Sequence, residues 1–277
     1  MPGAFNGMVA RIAASAGFDA LYVSGAAVSA SRGVPDVGLV SLNEFSDVIA
    51  QVASASGLPV VADADTGFGE SEMVTRTVHE YARAGAAGFH IEDQVFPKRC
   101  GHLDGKALVP VDHFCEKVAA AAAARDALGG SFVVCARTDA IGVEGVDSAL
   151  TRAKAYLDAG ADMIFPEGVR SEAEFAAIAE SLRAHRKGVY LLANMTEFGK
   201  TPPISLARFA QLGYSAVIWP VTTLRAAMGE VARTLADLKR DGHVESFVSR
   251  VQTRQELYAA LGYTPGEEWR FPGPSGG

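Results

Sequence analysis

The amino-acid sequence predicts an α/β protein with the (β/α)₈ architecture of a TIM-type barrel. Short apolar runs alternate with longer helical patterns along the whole chain, as in a parallel sheet buried on both faces. A glycine that can stop a helix recurs shortly before four of the predicted strands, at Gly17, Gly85, Gly160 and Gly213. The length of 277 residues suits one such barrel.

Seven predicted strands are short runs of β-branched or apolar residues, at 20–24, 58–62, 88–91, 132–137, 163–165, 190–193 and 216–219. Helical patterns lie between them, at 5–16, 44–56, 71–84, 111–128, 146–159, 172–184, 205–211 and 223–239. An eighth strand would precede the first helix, and residues 1–4 have the pattern of its last residues.

A doubly wound open sheet is the alternative fold. It is disfavoured because no Gly-Xaa-Gly-Xaa-Xaa-Gly turn follows the first strand. We therefore expect a single barrel domain over residues 1–277, with a C-terminal helical arm over roughly residues 223–277.

Composition limits the classes of function. A formal net charge of −7 argues against a nucleic-acid-binding surface, which is usually basic. No secretory leader and no apolar run of membrane-spanning length is recognisable. Together with an odd number of cysteines (Cys100, Cys115 and Cys135), this predicts a reducing, cytoplasmic location and no membrane partner.

Polar residues concentrate where the predicted strands end, although the strand interiors are almost free of them. In a barrel, these carboxyl ends form the face that carries the chemistry. Charges gathered there require mutual pairing, a cation or an ionic ligand. The residues concerned are Ser24, Gly25, Asp63, Asp65, Glu92, Asp93, Arg137, Asp139, Glu167, Asn194 and Thr196.

A divalent cation site is predicted at Asp63 and Asp65. Their side chains project to the same side of an extended chain. With a further oxygen from Glu92 they suit Mg²⁺, which keeps several waters, and Mn²⁺ is the alternative ion. A turn or helix-capping role ahead of Gly67 is the other interpretation of the two aspartates.

Cys100 is the predicted proton donor. It stands in the polar sequence Lys98-Arg99-Cys100-Gly101-His102, where nearby cations lower a thiol pKa. An ordinary buried thiol is the alternative, as we assume for Cys115 and Cys135. A Cys–His nucleophile pair is disfavoured, because Cys100 and His102 are too close in sequence to pair without strain.

Three arginines, Arg137, Arg225 and Arg254, are candidate clamps for carboxylates, which a guanidinium can grip in two places. For Arg225 and Arg254 a surface position or an ion pair is the alternative interpretation.

These patterns, taken together, resemble the isocitrate lyase and phosphoenolpyruvate mutase superfamily, and within it the 2-methylisocitrate lyases. The resemblance runs through nearly the whole chain. It rests on residues 2–6, 22–25, 63–69 (Asp-Ala-Asp-Thr-Gly-Phe-Gly), 90–94 (His-Ile-Glu-Asp-Gln), 98–102, 136–140, 165–167, 194–199 and 252–258. The Lys-Arg-Cys-Gly-His form is that of the carbon–carbon lyases of the superfamily.

The resemblance implies cleavage of (2S,3R)-2-methylisocitrate to pyruvate and succinate, in the methylcitrate cycle of propionate breakdown. It implies Mg²⁺ held by Asp63, Asp65 and Glu92, and homotetramers whose dimers exchange a C-terminal helix. It also implies substrate contacts from Ser24, Gly25, Ala26, Cys100, Gly101, His102, Arg137, Glu167, Asn194, Met195, Thr196, Arg225 and Arg254. Ala26 departs from the pattern, since glycine is expected there.

In the implied reaction Cys100 protonates the succinate carbanion, while Tyr22 and Glu167 are both candidates for the base. An apolar pocket at Phe165 and Ile218 would favour a methylated substrate. The alternatives are a lyase for isocitrate, 2,3-dimethylmalate or a similar 2-hydroxydicarboxylate, and an oxaloacetate decarboxylase or phosphonopyruvate-type enzyme. A further alternative is a barrel that only binds a dicarboxylate or a partner.

Overall fold

A computed structural model describes residues 1–99 and 105–270 of the chain. Within these ranges seven parallel strands form a sheet in which their order in space follows their order in the sequence. The strands are β1 (Leu21–Val23), β2 (Val60–Asp63), β3 (Gly88–Glu92), β4 (Val133–Thr138), β5 (Met163–Pro166), β6 (Tyr190–Asn194) and β7 (Ala216–Ile218). Helices connect consecutive strands, so the predicted TIM-type α/β barrel is confirmed.

Residues 1–4 lie between β7 and β1. On one side the Gly3 amide donates to the Trp219 carbonyl (2.9 Å), and on the other the Ala4 amide donates to the Tyr22 carbonyl (2.8 Å). Both bridges are parallel. The segment that the sequence assigned to an eighth strand therefore fills the gap between the first and last strands of the sheet.

The helices are α1 (Gly7–Ser15), α2 (Gly25–Ser31), α3 (Leu42–Ser56), α4 (Ser71–Arg83), α5 (Val111–Ala127), α6 (Val146–Asp158), α7 (Glu172–His185), α8 (Leu206–Leu212), α9 (Thr222–Asp241) and α10 (Arg254–Leu261). Short 3₁₀ turns occur at Ala140–Gly142 and Val248–Arg250. All except α2 and α10 coincide with helical patterns in the sequence. No described helix is both long and apolar enough to cross a bilayer.

Helix α2 escaped prediction because its sequence, Gly-Ala-Ala-Val-Ser-Ala-Ser, is only seven residues long and has no clear helical periodicity of apolar and polar residues. Ser24 caps it by accepting a hydrogen bond from the Ala27 amide at 3.4 Å. Ala27 also packs in a small apolar cluster with Val221 and Leu224. Tertiary packing thus stabilises this helix and sets its first turn at the carboxyl end of β1.

Two apolar layers bury both faces of the sheet. The layer inside the barrel is Tyr22, Val61, Cys135, Met163, Phe165, Leu192 and Ile218. A larger layer separates the sheet from the surrounding helices and includes Phe45, Tyr81, Phe114, Tyr156 and Phe175. Because both faces of the sheet are apolar, the polar side chains lie at the carboxyl ends of the strands, as the sequence predicted.

Helix α9 is packed along only part of its length. Leu224, in its first turn, is its one buried residue. Farther along, four large apolar side chains on one face remain exposed, and we call them the α9 stripe: Met228, Val231, Leu235 and Leu238. Helix α10, by contrast, packs against α1.

Candidate active site

A pocket of about 240 Å³ opens at the carboxyl ends of the strands. Eleven residues proposed from the sequence line it: Tyr22, Ser24, Ala26, Asp63, Arg137, Phe165, Glu167, Asn194, Thr196, Ile218 and Arg225. They come from six different strands and the segments that directly follow them, which is the arrangement expected of a barrel enzyme.

Asp63, the last residue of β2, and Asp65, two residues later, are held in a fixed geometry. Asp63 Oδ2 accepts a hydrogen bond from the Gly25 amide (3.0 Å), and its Oδ1 accepts one from the Asp65 amide (3.0 Å). A Cβ on Gly25 would lie 2.7 Å from Asp63 Oδ2, so a larger residue there would displace the Asp63 carboxylate. Asp65 has a φ of 47°, a left-handed conformation that costs free energy and is often found at functional sites.

Lys98 places a buried ammonium group beside these carboxylates. Its Nζ lies 2.7 Å from Asp65 Oδ1 and also contacts Asp36. Asp36 lines the pocket but was missed from the sequence, because it lies in an irregular loop and follows no strand. Lys98 had been noted only as a basic neighbour of Cys100.

Glu92, at the end of β3, is almost completely buried. Within the described chain its carboxylate oxygens accept no hydrogen bond, and Arg137 Nη1 lies 3.3 Å from Oε2. Burial raises the pKa of Glu92 well above its usual value. Burial, and next the Asp63 carboxylate, raise the pKa of Asp65 to about 7. Buried carboxylates whose ionisation is this costly fit a divalent cation, which would add its charge to those of Lys98 and Arg137.

The described residues do not form a ready-made group of three or more His, Cys, Asp or Glu ligands around one point. The site therefore fits an ion whose remaining ligands are water or substrate oxygens. Mg²⁺ binds in that way, because it dehydrates reluctantly and commonly uses one or two carboxylates.

Arg137, at the end of β4, is bonded more extensively than a simple carboxylate clamp. Its Nε and Nη2 donate to the two oxygens of Asp139, at 3.0 and 3.1 Å. Its Nη1 faces Glu92 and, at 3.9 Å, Glu167. Asp139 occupies the Nε/Nη2 edge of this guanidinium, so a ligand can meet Arg137 through Nη1 and the second Nη2 hydrogen.

Tyr22 and His90 form a buried pair beneath the pocket. The Tyr22 hydroxyl and His90 Nε2 are 2.7 Å apart. Burial lowers the pKa of His90 to about 4, so the imidazole is neutral at pH 7. Burial, and next the Asp63 carboxylate, raise the pKa of Tyr22 well above its usual value. Tyr22 therefore keeps its proton in the resting site.

Glu167, at the end of β5, is a buried acceptor in the pocket wall. Its Oε1 accepts a hydrogen bond from the Gly168 amide at 2.9 Å. Its Oε2 accepts one from Asn194 Nδ2 at 3.1 Å. Two neighbouring strand ends thus fix this carboxylate.

Besides Gly25, whose amide bonds Asp63, two proposed substrate residues of the described chain do not line the pocket. Side chains alternate along an extended chain, so the Met195 side chain lies in the outer apolar layer, away from the pocket. There its sulfur accepts a hydrogen bond from the Ile204 amide. Arg254 is exposed at the start of α10. Both roles stay predictions.

Cys100, Gly101 and His102 lie outside the described residues. The chain before them is nevertheless fixed beside the pocket. The Gln94 side chain donates to the Arg99 carbonyl (2.8 Å) and accepts from the Arg99 amide (2.9 Å). With Lys98 held at Asp65, the chain enters the undescribed segment next to the candidate cation site.

Residues 1–239 match the sequence profile of the phosphoenolpyruvate phosphomutase family, and the chain belongs to that family. It is 51% identical over 263 residues to a probable 2-methylisocitrate lyase of Corynebacterium glutamicum, covering 95% of this chain and 84% of the relative. It is 47% identical to the 2-methylisocitrate lyase of Aeropyrum pernix, covering 95% of this chain and 82% of the relative.

Solved structures are similar throughout the barrel. A crystal structure of 2,3-dimethylmalate lyase has a TM-score of 0.88 and 41% identity, covering 94% of this chain and 85% of the other. A phosphonopyruvate hydrolase in complex with oxalate and Mg²⁺ has a TM-score of 0.82 and 32% identity, covering 94% and 89%. The resemblance to this superfamily that the sequence motifs indicated is confirmed.

Proposed function

We propose that the chain is an Mg²⁺-dependent carbon–carbon lyase that cleaves (2S,3R)-2-methylisocitrate to pyruvate and succinate in propionate catabolism. One observation carries this proposal. A single pocket is lined by Asp63, Lys98, Arg137 and Arg225, and two of these cations pair with further buried carboxylates, Lys98 with Asp65 and Arg137 with Glu92. Its relatives named 2-methylisocitrate lyase cover 95% of the chain, which supports the same assignment.

Asp63, Asp65 and Glu92 would hold the cation, in part through water, and Mn²⁺ is the alternative ion. When bound, it supplies electrostatic stabilisation to the oxygens of the pyruvate half. Lys98, Arg137 and Arg225 are positioned around the pocket to bind carboxylates of the substrate. We expect further contacts from Ser24, Gly25, Ala26, Asn194 and Thr196, and from Cys100, Gly101 and His102, which the structure does not describe.

Glu167 is the base that we propose to take the hydroxyl proton of the substrate. It is a carboxylate in the pocket wall, whereas the high pKa of Tyr22 keeps that side chain a phenol. Tyr22 can accept a proton only if it passes its own to His90, which its hydroxyl contacts at 2.7 Å. Glu167 can accept the substrate proton directly, without a second transfer, and is therefore the simpler choice of base.

Removal of that proton lets the C–O bond become a carbonyl while the neighbouring carbon–carbon bond breaks. The bonding electrons move to the succinate half, which leaves as an aci-carboxylate carbanion. We propose that the Cys100 thiol protonates it, as the resemblance implies. Lys98 and Arg137 place positive charge where negative charge develops.

An apolar wall in the same pocket supports a methylated substrate. Phe165, Ile218, Pro220 and Val221 line it. Ala26 adds a methyl group to this lining, next to the cluster of Val221 and Leu224. A single methyl is worth only ~1–3 kcal/mol of discrimination. Cleavage of 2,3-dimethylmalate is therefore the second candidate, and the close structural match to a lyase of that name favours it.

We also propose a homotetramer in which dimers exchange the C-terminal arm. The α9 stripe supports this, because four large apolar side chains on one helix face are exposed in the isolated chain. In such an assembly Arg254 would be placed by the arm, and its role at the site stays a prediction. The cytoplasmic location likewise stays a prediction from the cysteine content.

A purified-enzyme assay tests the function. The full chain is incubated with 2-methylisocitrate, isocitrate or 2,3-dimethylmalate, and pyruvate and succinate are measured with Mg²⁺ or with a chelator. We expect release of both products from 2-methylisocitrate, abolished by the chelator and restored by Mg²⁺. A higher kcat/KM on 2,3-dimethylmalate would establish the second candidate, and no cleavage of any substrate would overturn both.

A further inference from the structure

Asp139 lies directly after β4, outside the pocket lining, and is fully buried. Its two carboxylate oxygens accept hydrogen bonds from Arg137 Nε and Nη2, at 3.0 and 3.1 Å. Lys106 Nζ also donates to Asp139 Oδ1, at 2.8 Å. One carboxylate therefore joins a pocket arginine to a lysine in a different part of the chain.

Lys106 belongs to the segment by which the chain returns from residues 100–104. That returning segment pairs with the outgoing one, since the Val95 amide donates to the Ala107 carbonyl at 2.8 Å. The Val109 amide donates to the Asp93 carbonyl at 3.0 Å. Lys106 is thus the residue that links the returning segment to the end of β4.

The backbone of Asp139 is held in place by the side chain of Asp93. The Asp139 amide donates to Asp93 Oδ1 at 2.9 Å. The hydroxyls of Thr138 and Tyr156 both donate to Asp93 Oδ2, at 2.8 Å. A network of buried, mutually satisfied groups of this kind is rigid, so the position of the Asp139 carboxylate is set by the barrel and not by its ligands.

We propose that Asp139 is a positioning residue that fixes Arg137 and, through Lys106, the returning end of the segment that carries Cys100. It leaves Nη1 of Arg137, together with the second Nη2 hydrogen, as the part of the guanidinium that can meet the substrate. The kinetic part of this inference rests on the proposed lyase function, whereas the link between Asp139 and residues 105–109 does not.

Two variants and their combination test the link: Asp139→Asn, Lys106→Met, and the double variant. Hydrogen–deuterium exchange of residues 105–109 is measured first, because it needs no substrate. Both single variants are expected to raise exchange there.

In the lyase assay each single variant is expected to lower kcat/KM by ~10²-fold, the scale of a misplaced binding group. The double variant is expected to fall no further than the worse single variant, since the two residues act as a unit.

Two controls separate positioning from stability. Asp162→Asn removes an aspartate that pairs with Arg125 Nη1 at 2.7 Å and accepts from the Val134 amide at 2.9 Å, at the amino ends of the strands. It should leave kcat/KM and the exchange of 105–109 unchanged. Lys106→Arg keeps the cation and should restore most of the activity lost in Lys106→Met.

Unchanged exchange at 105–109 in both variants would overturn the proposal. It would also be overturned if the two substitutions lowered kcat/KM additively in the double variant. The same holds if the loss of activity only matched the fraction of unfolded protein, or if kcat/KM stayed normal although exchange at 105–109 rose. If the wild-type chain cleaves none of the three acids, the proposed function fails, and the exchange measurement still decides whether Asp139 holds the returning segment.

Discussion

Glu167 and Tyr22 both line the pocket, but their surroundings assign them different roles. Glu167→Gln keeps the size of the side chain and removes its basicity, so we expect kcat to fall by ~10²–10⁴-fold, the range for a lost general base. Tyr22→Phe, which removes only the hydroxyl bonded to His90, is expected to lower kcat less. Steady-state kinetics at saturating Mg²⁺ measure both, and a larger loss in Tyr22→Phe would reverse the assignment.

Cys100 is assigned as the acid from its sequence context alone. Cys100→Ser should leave the fold and metal binding intact and lower turnover by ~10²-fold or more, because a serine hydroxyl is a much weaker acid. Circular dichroism and metal titration check the fold and the cation site. Cys115→Ser, in α5, is the matched control and should retain full turnover. Near wild-type turnover of Cys100→Ser would remove this thiol from the mechanism.

The surroundings of Asp139 predict a pH dependence of stability. Burial alone would raise its pKa, but Arg137 and then Lys106 outweigh burial and lower it to about 2. A carboxylate whose pKa is lower in the folded than in the unfolded state stabilises the fold above the unfolded pKa of ~4, and this contribution disappears as the pH falls toward 2. The free energy of unfolding should therefore decrease more steeply between pH 5 and 3 in the wild type than in Asp139→Asn. Equal slopes in denaturant titrations would contradict the low pKa.

At the scale of single elements, the α9 stripe makes the clearest prediction. Leu235, in the middle of the stripe, is 58% exposed, so Leu235→Glu should not unfold the isolated barrel. If the stripe packs in an oligomer, the buried charge should convert the tetramer into smaller species. Sedimentation velocity measures this. Ala236→Glu adds the same charge about 100° around the helix and should leave the assembly intact.

The helices also show what the sequence could and could not supply. Helix α3 was predictable because Ser41 and Glu44 form a capping box and Gly57, at φ 67°, ends it. Helix α2 was not, since its stability comes from packing on Val221 and Leu224, which are remote in sequence.

At the scale of the whole molecule, the closure of the barrel depends on a close approach at Gly3. A Cβ there would lie 2.1 Å from the Pro220 carbonyl oxygen. Gly3→Ala should therefore destabilise the protein by ~1–3 kcal/mol, the usual cost of overpacking. Gly229→Ala, whose Cβ would meet nothing closer than 3.7 Å in α9, is the control and should be neutral or slightly stabilising. Chemical denaturation compares the two, and equal stabilities would show that residues 1–4 adapt freely.

The barrel and the position of its pocket were predictable because both follow from local patterns. Apolar periodicity locates the strands, and the polar residues after them locate the face that carries the chemistry. Pairings between distant segments leave no such pattern. The contact of Lys98 with Asp36, and the tie from Lys106 to Asp139, join residues far apart in sequence and became visible only in the folded chain.

The bonding of Arg137 bears on inhibitor chemistry. Because Asp139 already accepts from its Nε and Nη2, a planar acid group cannot pair with that edge of this arginine. An amide or ketone oxygen, which also accepts a single hydrogen bond, satisfies Nη1 in the same geometry. An inhibitor can therefore place an uncharged isostere of a carboxylate at this point and still form a hydrogen bond with Arg137.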